Sequence, residues 1–290
     1  MPQEQAVSTT RPAGEFRVHI HASGAEGLFT NAFLVETPQG LVAVDAMMRI
    51  SDARGLRALA ERIGKPLLAV IITHGHPDHY NGVTELLQGL EVPVIATRGV
   101  DEVIRRIDDA KELQWKPVFG AEWPEVRTFP NHFVQDGQTL TFDGVPFTIR
   151  ELGAGESHCD TWWLVGNDSP VAFVGDIVFN GVHSFMNDGH TAQWLKNLEV
   201  LERELAGVGT LYTGHGAPGT PKETLEAQRR YLTLYRDTVR ELARGASSLS
   251  DEAKEELGRR MKTLLPTEDL SVFIGAGANA VAAELAREPA

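Results

Sequence analysis

The chain has 290 residues, of which 42% are hydrophobic and 23% are charged, so its composition excludes a disordered protein and suits a substantial buried core. Its formal net charge of −13 argues against nucleic acids and anionic membrane surfaces as partners, because both are bound by clustered lysine and arginine. The single cysteine, Cys159, excludes an intramolecular disulfide, and the first residues lack the basic start and apolar stretch of an export signal, so we expect a cytoplasmic protein.

From residue 16 onward, segments with the pattern of strands alternate with segments that have the period of helices, which predicts an α/β domain. The predicted strands are Phe16–His21, Thr30–Glu36, Leu41–Asp45, Leu67–Thr73, Val92–Thr97, Thr139–Phe142, Val145–Leu152, Thr161–Val165, Val171–Gly175 and Thr210–Tyr212. The predicted helices are Asp52–Ile63, Asn81–Gln88, one within Arg98–Trp115, and Thr191–Leu205. The stretch Lys116–Asp136 contains three prolines and is predicted to be irregular.

The two ends of the chain differ in character from this body. Residues 1–14 are polar and predict a flexible N-terminal tail. Thr220 as N-cap, the proline after it and a glutamate at the third helical position predict the start of a helix. Apolar residues at helical spacing then continue to Arg287. We therefore divide the chain into a tail (1–14), an α/β domain (15–220) and a helical extension (221–290).

The most informative motif spans residues 73–82 and reads THGHPDHYNG, with three histidines and an aspartate within six residues of a predicted buried strand. Imidazole nitrogen and carboxylate oxygen suit a borderline divalent cation such as zinc. His74 and His76 can bind one ion from the same side of an extended loop, and Asp78 and His79 can face a second ion. Four ligands cannot fill two sites, so the other ligands must come from elsewhere in the chain.

Further candidate ligands lie near other predicted strand ends, where an α/β fold places its chemistry. His158 precedes the strand that begins at Thr161, Asp176 follows the strand that ends at Gly175, and His215 follows the strand that ends at Tyr212.

With the pattern His-x-His-x-Asp-His at 74–79, then His158, Asp176 in Gly-Asp and His215 in Gly-His-Gly, the chain resembles the metallo-β-lactamase-fold hydrolase superfamily over about residues 16–220. The resemblance implies a four-layer αβ/βα sandwich, here with a C-terminal helical extension, and two divalent ions at one edge. It implies that one ion is held by His74, His76 and His158, the other by Asp78, His79 and His215, and that Asp176 bridges them. Asn31 and Asp45 match polar positions of the family, and Asp45 is expected to support the histidine loop rather than to bind metal.

This resemblance leads us to predict a dinuclear hydrolase with two divalent ions, Zn²⁺ in the first place and iron or manganese as alternatives. A hydroxide that bridges the two ions would form because bound water has its pKa lowered from about 15.7 toward about 7. It would attack an ester or lactone carbonyl, while Asp78 orients it and moves a proton to the leaving group. The expected partner is a small-molecule substrate, and the oligomeric state is left open, with a homodimer as one option.

Other activities compatible with the same motif remain open. Glyoxalase II-like thioesterases share all seven ligands and add a basic patch in their helical tail, of which Arg229, Arg230 and Arg236 give only a vague suggestion. Acyl-homoserine lactonases share the ligands and prefer an apolar acyl pocket. Mononuclear iron oxygenases that resemble persulfide dioxygenases keep a similar histidine motif and are the second hypothesis after the hydrolase. A scaffold that kept the fold without catalytic activity is the third.

Residues near the ligands are candidates for substrate contacts. His183 follows Asp176 in the chain, and Tyr80 and Tyr212 adjoin ligands, so each is a candidate donor to the substrate. Cys159 is expected to be a buried thiol, because its side chain alternates away from that of His158 in an extended segment. Five large apolar residues after Asp176 are expected either to line an acyl pocket or to pack in the core. They are Phe179, Val182, Phe185, Met186 and Trp194.

Overall fold

A computed structural model describes residues 14–288, and two sheets packed face to face form its centre. The predicted tail, residues 1–14, therefore lies outside the described residues except for Gly14. The first sheet has six strands in sequence order, of which the first three are antiparallel and the last three continue in parallel from β3. These strands are β1 (Arg17–Ala22), β2 (Asn31–Glu36), β3 (Leu41–Val44), β4 (Leu67–Ile71), β5 (Val94–Thr97) and β6 (His132–Val134).

The second sheet has the order β12-β10-β9-β8-β7 and is antiparallel except for the parallel pair of β10 and β12. Its strands are β7 (Thr139–Phe142), β8 (Val145–Gly153), β9 (Asp160–Val165), β10 (Val171–Phe173) and β12 (Thr210–Tyr212). A two-stranded parallel ribbon, β11 (Phe179–Asn180) with β13 (His215–Gly216), lies between loops that follow β10 and β12.

Helices cover the outer faces of both sheets. On the first sheet lie α1 (Ile50–Ile63), α2 (Pro77–Tyr80), α3 (Val83–Leu87) and α4 (Arg98–Phe119). On the second lie α5 (Thr191–Glu204), α6 (Pro221–Ala243), α7 (Asp251–Leu264) and α8 (Val272–Leu285). Among the described residues, no helix is both long enough and apolar enough to cross a membrane.

Three apolar clusters fill the spaces between these four layers. One contains Phe33, Ile71, Phe147 and Trp163 and lies between the sheets, because its members come from facing strands of both. The second joins the first sheet to α1, α3 and α4, and the third joins the second sheet to α5–α8. The predicted αβ/βα sandwich with C-terminal helices is confirmed, whereas the boundary at residue 220 stays a prediction.

The stretch predicted to be irregular is more ordered than its prolines indicated. The helix α4 continues to Phe119 with Pro117 inside its last turn. His132–Val134 adds a sixth strand beside β5. Three residues are too few to show a strand period, so the pairing with β5 decides this element.

Candidate metal centre

Most of the predicted ligands meet where loops follow the strands of the two sheets. The loop with His74 and His76 and the short helix α2 with Asp78 and His79 directly follow β4, a strand buried in the first sheet. Asp176 lies in a 3-10 turn after β10, and His215 begins β13 after β12. These side chains are all buried, so the fold brings segments far apart in the sequence into one enclosed centre.

The first group of possible ligands consists of His74, His76, Glu156 and Asp176, whose ligand atoms all lie within 4.8 Å of one another. Oε2 of Glu156 lies 3.1 Å from Nδ1 of His76 and 3.7 Å from Nε2 of His74. Nε2 of His74 lies 3.9 Å from Oδ2 of Asp176. Two imidazoles and two carboxylates around one point form a donor set that suits a divalent transition metal ion.

The second group consists of Asp78, His79, Asp176 and His215, again with ligand atoms within 4.8 Å of one another. Nε2 of His215 lies 3.1 Å from one oxygen of Asp78 and 3.1 Å from one oxygen of Asp176. Nε2 of His79 lies 3.3 Å from the other oxygen of Asp176. Asp176 belongs to both groups, so its carboxylate is placed to bridge two ions.

Each of the four histidines has its other ring nitrogen next to a hydrogen-bond acceptor. This arrangement fixes the ring orientation and leaves the opposite nitrogen available to a metal ion. The acceptors are Thr73 Oγ1 for His74 Nδ1 (3.1 Å), Asp188 Oδ2 for His76 Nε2 (3.2 Å), Asp45 Oδ2 for His79 Nδ1 (2.8 Å) and the Leu28 carbonyl for His215 Nδ1 (2.8 Å).

Several buried polar atoms of the two groups have no hydrogen-bond partner among residues 14–288. They are Nε2 of His74, Nε2 of His79, both carboxylate oxygens of Glu156 and Oδ1 of Asp176. A buried polar atom without a partner is costly, and metal ligation is one way to satisfy it. The residues present therefore fit two divalent cations.

Without a cation, the groups do not all take the forms that ligate: burial would lower the pKa of the His79 imidazole, but the carboxylates of Asp176 and Asp78 outweigh it and hold that pKa well above its usual value. Burial raises the pKa of the Glu156 carboxyl to about 8. Burial also lowers the pKa of the His74 imidazole well below its usual value, and the neighbouring His79 acts in the same direction. Burial alone would raise the pKa of Asp176, but His215 and His79 outweigh it and hold that pKa well below its usual range. A bound cation would favour neutral imidazoles and ionised carboxylates, the forms that ligate.

Residues outside the two groups hold the ligand loops in place. Asp45 accepts hydrogen bonds from the backbone nitrogen of Thr73 at 2.9 Å and from its hydroxyl at 2.8 Å, in addition to that from His79. The side-chain amide of Asn31 donates to the carbonyl oxygens of Thr213 and Gly216 on either side of His215. Gly214 must lack a side chain, because a Cβ there would lie 1.9 Å from Oδ1 of Asp176.

The structure places His158, which was predicted to bind the first ion, outside both groups. Its side chain is 35% exposed, with Nδ1 2.7 Å from Nε2 of His190 and Nε2 3.7 Å from Asp188. The cause is the turn before β9, in which the Asp160 carboxylate accepts hydrogen bonds from the backbone nitrogens of Glu156 and Ser157. In that turn Glu156, not His158, faces the histidines.

The three residues predicted to contact substrate do not line the cleft beside the two groups. His183 is buried with Nδ1 2.9 Å from the Tyr231 hydroxyl and Nε2 3.1 Å from the Thr267 carbonyl oxygen. The Tyr80 hydroxyl donates to Asp108 at 2.9 Å. Tyr212 stacks on Phe173 in the apolar cluster between the sheets. Proximity in sequence to a ligand does not by itself place a side chain at the cleft, because neighbours in a strand or helix point in different directions.

A narrow cleft with a cavity volume of about 30 Å³ opens onto the two groups. Of the aromatic and apolar candidates, only Phe185 lines it, whereas Phe179, Val182, Met186 and Trp194 belong to the core beneath the helices. Cys159 is buried and belongs to neither group, as predicted. The lining residues are Leu28, Met48, His76, Pro77, Asp78, Lys111, Trp115, Glu156, Asp176, Phe185, His215 and Phe273.

Several residues of the candidate centre and its cleft were not predicted from the sequence. Glu156 carried a weak signal, since it is an acidic residue beside His158 in a loop that precedes a strand. The sequence gave no signal for Lys111, Trp115 and Phe273. The apolar period of a helix shows which of its faces is buried, but not which other segment packs against that face.

Comparisons of the sequence with known proteins match one superfamily and relatives that are described as hydrolases. The sequence model of the metallo-beta-lactamase superfamily matches residues 25–215. The chain is 28% identical over 260 residues to the probable metallo-hydrolase YflN of Bacillus subtilis, covering 79% of this chain and 93% of that protein. It is 30% identical over 135 residues to a hydroxyacylglutathione hydrolase of Prochlorococcus marinus, covering 46% of this chain and 45% of that one.

Solved structures show the same fold at low sequence identity. A metallo-beta-lactamase family protein from Thermus thermophilus matches with a TM-score of 0.64 at 20% identity, over 91% of each chain. A B3 metallo-beta-lactamase described as having an active site glutamic acid matches with a TM-score of 0.55 at 19% identity, over 74% of this chain and 86% of that chain.

Proposed function

The chain belongs to the metallo-beta-lactamase superfamily, and from this premise we propose that it is a dinuclear zinc hydrolase that cleaves the ester or lactone bond of a small molecule. The observation that carries the proposal is the pair of buried ligand groups that share Asp176. A single carboxylate common to two groups is suited to two ions side by side, the arrangement that serves hydrolysis of acyl and phosphoryl compounds.

The two groups fit divalent cations, His74, His76, Glu156 and Asp176 for one and Asp78, His79, Asp176 and His215 for the other. When bound, such ions supply a Lewis acid for a carbonyl oxygen and lower the pKa of water toward about 7.

The chain itself positions the group that handles the proton. Oδ2 of Asp78 accepts a hydrogen bond from the Thr30 hydroxyl at 3.0 Å and lies 3.1 Å from Nε2 of His215. Asp78 also lines the cleft. These contacts fix the carboxylate beside the substrate, so it can accept a proton from the attacking water and return it to the leaving alkoxide.

The other walls of the cleft keep bulk water away from the reacting bond. Leu28, Met48, Phe185 and Phe273 give it an apolar lining. An apolar lining strengthens the electrostatic interactions within and suits an acyl or alkyl portion of a substrate.

A thioester is the second candidate substrate class. Similarity to the hydroxyacylglutathione hydrolase of Prochlorococcus marinus favours it, but that match spans less than half of each chain. Arg229 and Arg236, two arginines of the suggested basic patch, form ion pairs with Glu202 and Glu284. These arginines are therefore already engaged, which favours the oxygen ester or lactone.

The proposal is tested by elemental analysis of the purified chain and a parallel screen of ester, lactone, thioester, phosphotriester and β-lactam hydrolysis. We expect about two zinc ions per chain and turnover of an ester or lactone. Asp176→Ala should lose bound metal and activity together. Asp168→Ala, a matched change in the exposed turn before β10, should retain both.

The screen also separates the alternatives. Turnover of thioesters alone would replace the ester proposal with the thioesterase. One bound iron with oxygen uptake in the presence of glutathione persulfide would overturn both in favour of an oxygenase. Two bound ions without turnover of any acyl compound would also contradict the proposal.

A further inference from the structure

One cationic side chain stands at the cleft, and the ligand groups do not use it. Among the described residues that line the cleft, Lys111 is the only lysine or arginine. It lies on α4 and is partly exposed. Within residues 14–288 it forms no ion pair with a carboxylate, whereas Lys116 on the same helix pairs with Glu112 at 2.9 Å and Glu125 at 2.8 Å. A positive charge at a binding cleft with no carboxylate at ion-pair distance is available to a ligand.

An aromatic surface connects Lys111 to the metal ligands. Nζ of Lys111 lies 5.4 Å from the centre of the Phe185 ring. The same ring also contacts the rings of His76 and Phe273, each at 5.2 Å between ring centroids. Trp115 lies one helical turn after Lys111 and lines the same cleft. The ammonium group and the ligand groups are therefore joined by an apolar wall.

Lys111 leaves the cleft with a positive excess when the two ligand groups hold their ions. Two divalent cations carry four positive charges, and the carboxylates that hold them, Asp78, Glu156 and Asp176, carry three negative charges. The nearby Asp188 carboxylate, at hydrogen-bond distance from His76, adds a fourth negative charge, so these charges balance; Asp188 also interacts electrostatically with Lys111. Lys111 adds a positive charge on the same side of the cleft, in a chain that is otherwise strongly acidic.

We infer that the substrate is an amphiphilic anion: its carboxylate binds Lys111, and its apolar portion lies against Phe185, Phe273 and Trp115. The inference rests on the proposed function, since it names the class of ester or lactone that the centre receives. Lys111 is then a specificity-determining residue that orients the ester bond toward the ligand groups. The C-terminal helix α8 supplies part of the wall through Phe273.

Binding to the metal-loaded full chain tests the inference without turnover. Isothermal titration calorimetry compares hexanoate with hexanamide, which have the same length and differ in charge. Lys111→Met removes the charge and keeps the length of the side chain. We expect it to weaken hexanoate binding roughly tenfold, the loss expected for one charge-assisted hydrogen bond, and to leave hexanamide binding unchanged.

Two further variants serve as controls. Lys111→Arg keeps the charge and should retain the preference for hexanoate. Lys116→Met removes a charge of α4 that already has carboxylate partners and should behave as the unmodified chain does. Circular dichroism and thermal melting check that each variant is folded.

Kinetics give a second readout. With monomethyl glutarate and dimethyl glutarate as substrates, Lys111→Met should raise KM roughly tenfold for the anionic ester alone and leave kcat near its original value, because the carboxylate contact exists in both ground and transition states. Equal effects of Lys111→Met on the charged and neutral probes, or no effect on either, would overturn the inference.

The failure of the inference and the failure of the proposed function can be distinguished. If the charge preference depends on Lys111 but no variant hydrolyses an ester, the anion site stands and the proposed reaction fails. If esters are hydrolysed without any preference that depends on Lys111, the reaction stands and the anion site fails.

Discussion

Oε2 of Glu156 lies 3.1 Å from Nδ1 of His76, so a carboxylate completes the first ligand group where a third imidazole was expected. His158, two residues later, instead faces His190. Variants of Glu156 and His158 therefore test directly which of the two residues binds the first ion.

Glu156→Gln should lower the metal content from about two ions per chain to about one, because an amide oxygen is a much weaker ligand than a carboxylate. His158→Ala should leave both ions in place. Elemental analysis after dialysis measures the two variants side by side. Loss of metal from His158→Ala with full metal content in Glu156→Gln would restore the assignment made from the sequence.

Asp45 supports the histidine loop from outside the metal groups. Asp45→Asn should weaken metal binding about 10- to 100-fold, because Asp45 orients His79 and accepts two hydrogen bonds from Thr73. The backbone should tolerate the change, since Asp45 has a φ of 61° and asparagine adopts that conformation readily.

Asp143→Asn is the matched control for this change. Asp143 also has a positive φ, 51°, and accepts a hydrogen bond from Thr37, but it belongs to neither metal group. Competition with a chromophoric chelator measures zinc affinity in both variants. Equal affinities would show that Asp45 has no role in orienting the ligands.

Tyr80 is expected to contribute to stability and not to catalysis. Its buried hydroxyl donates to Asp108, which Arg127 also binds at 2.8 Å, so Tyr80→Phe should lower the free energy of unfolding by about 1 kcal/mol. The value of kcat/KM should not change. Urea unfolding and steady-state kinetics measure the two effects. A large loss of kcat/KM at unchanged stability would identify Tyr80 as a donor to the substrate after all.

Removal of the metal ions should destabilise the fold. Ions that bind only the folded chain stabilise it, by about 2.7 kcal/mol when the free ion is at 100 times its Kd. Dialysis against a chelator should therefore lower Tm, and added zinc should restore it. In Asp176→Ala, which lacks the shared ligand, zinc should raise Tm much less. A melting temperature that is independent of zinc in the unmodified chain would argue against both ligand groups.

The general architecture could be read from the sequence because its signals are local. Strand and helix periods lie within single segments, and the apolar run Leu67–Thr73 followed by the histidine motif indicates a buried strand that ends in polar residues. The resemblance to a known superfamily predicted the four-layer arrangement of sheets and helices, and the structure and the comparisons confirm it.

The course of the chain within loops and short segments could not be read in the same way. His132–Val134 forms a strand because β5 lies beside it, not because its own sequence has a strand period. Which of Glu156 and His158 faces the centre depends on a turn held by Asp160. Side chains two residues apart point alike only when the backbone between them is extended, and this backbone turns.

The sequence by itself therefore determined the kind of fold, the family and the chemical type of most candidate ligands, since these follow from patterns contained in short stretches of chain. Only the tertiary structure decided that Glu156 lies in the first group, that Tyr80 and His183 do not line the cleft, and that Lys111 and Phe273 do. The physical reason is that a side chain's role depends on the atoms that surround it. Those atoms come from segments far apart in the sequence, and the sequence does not show which of these segments are in contact.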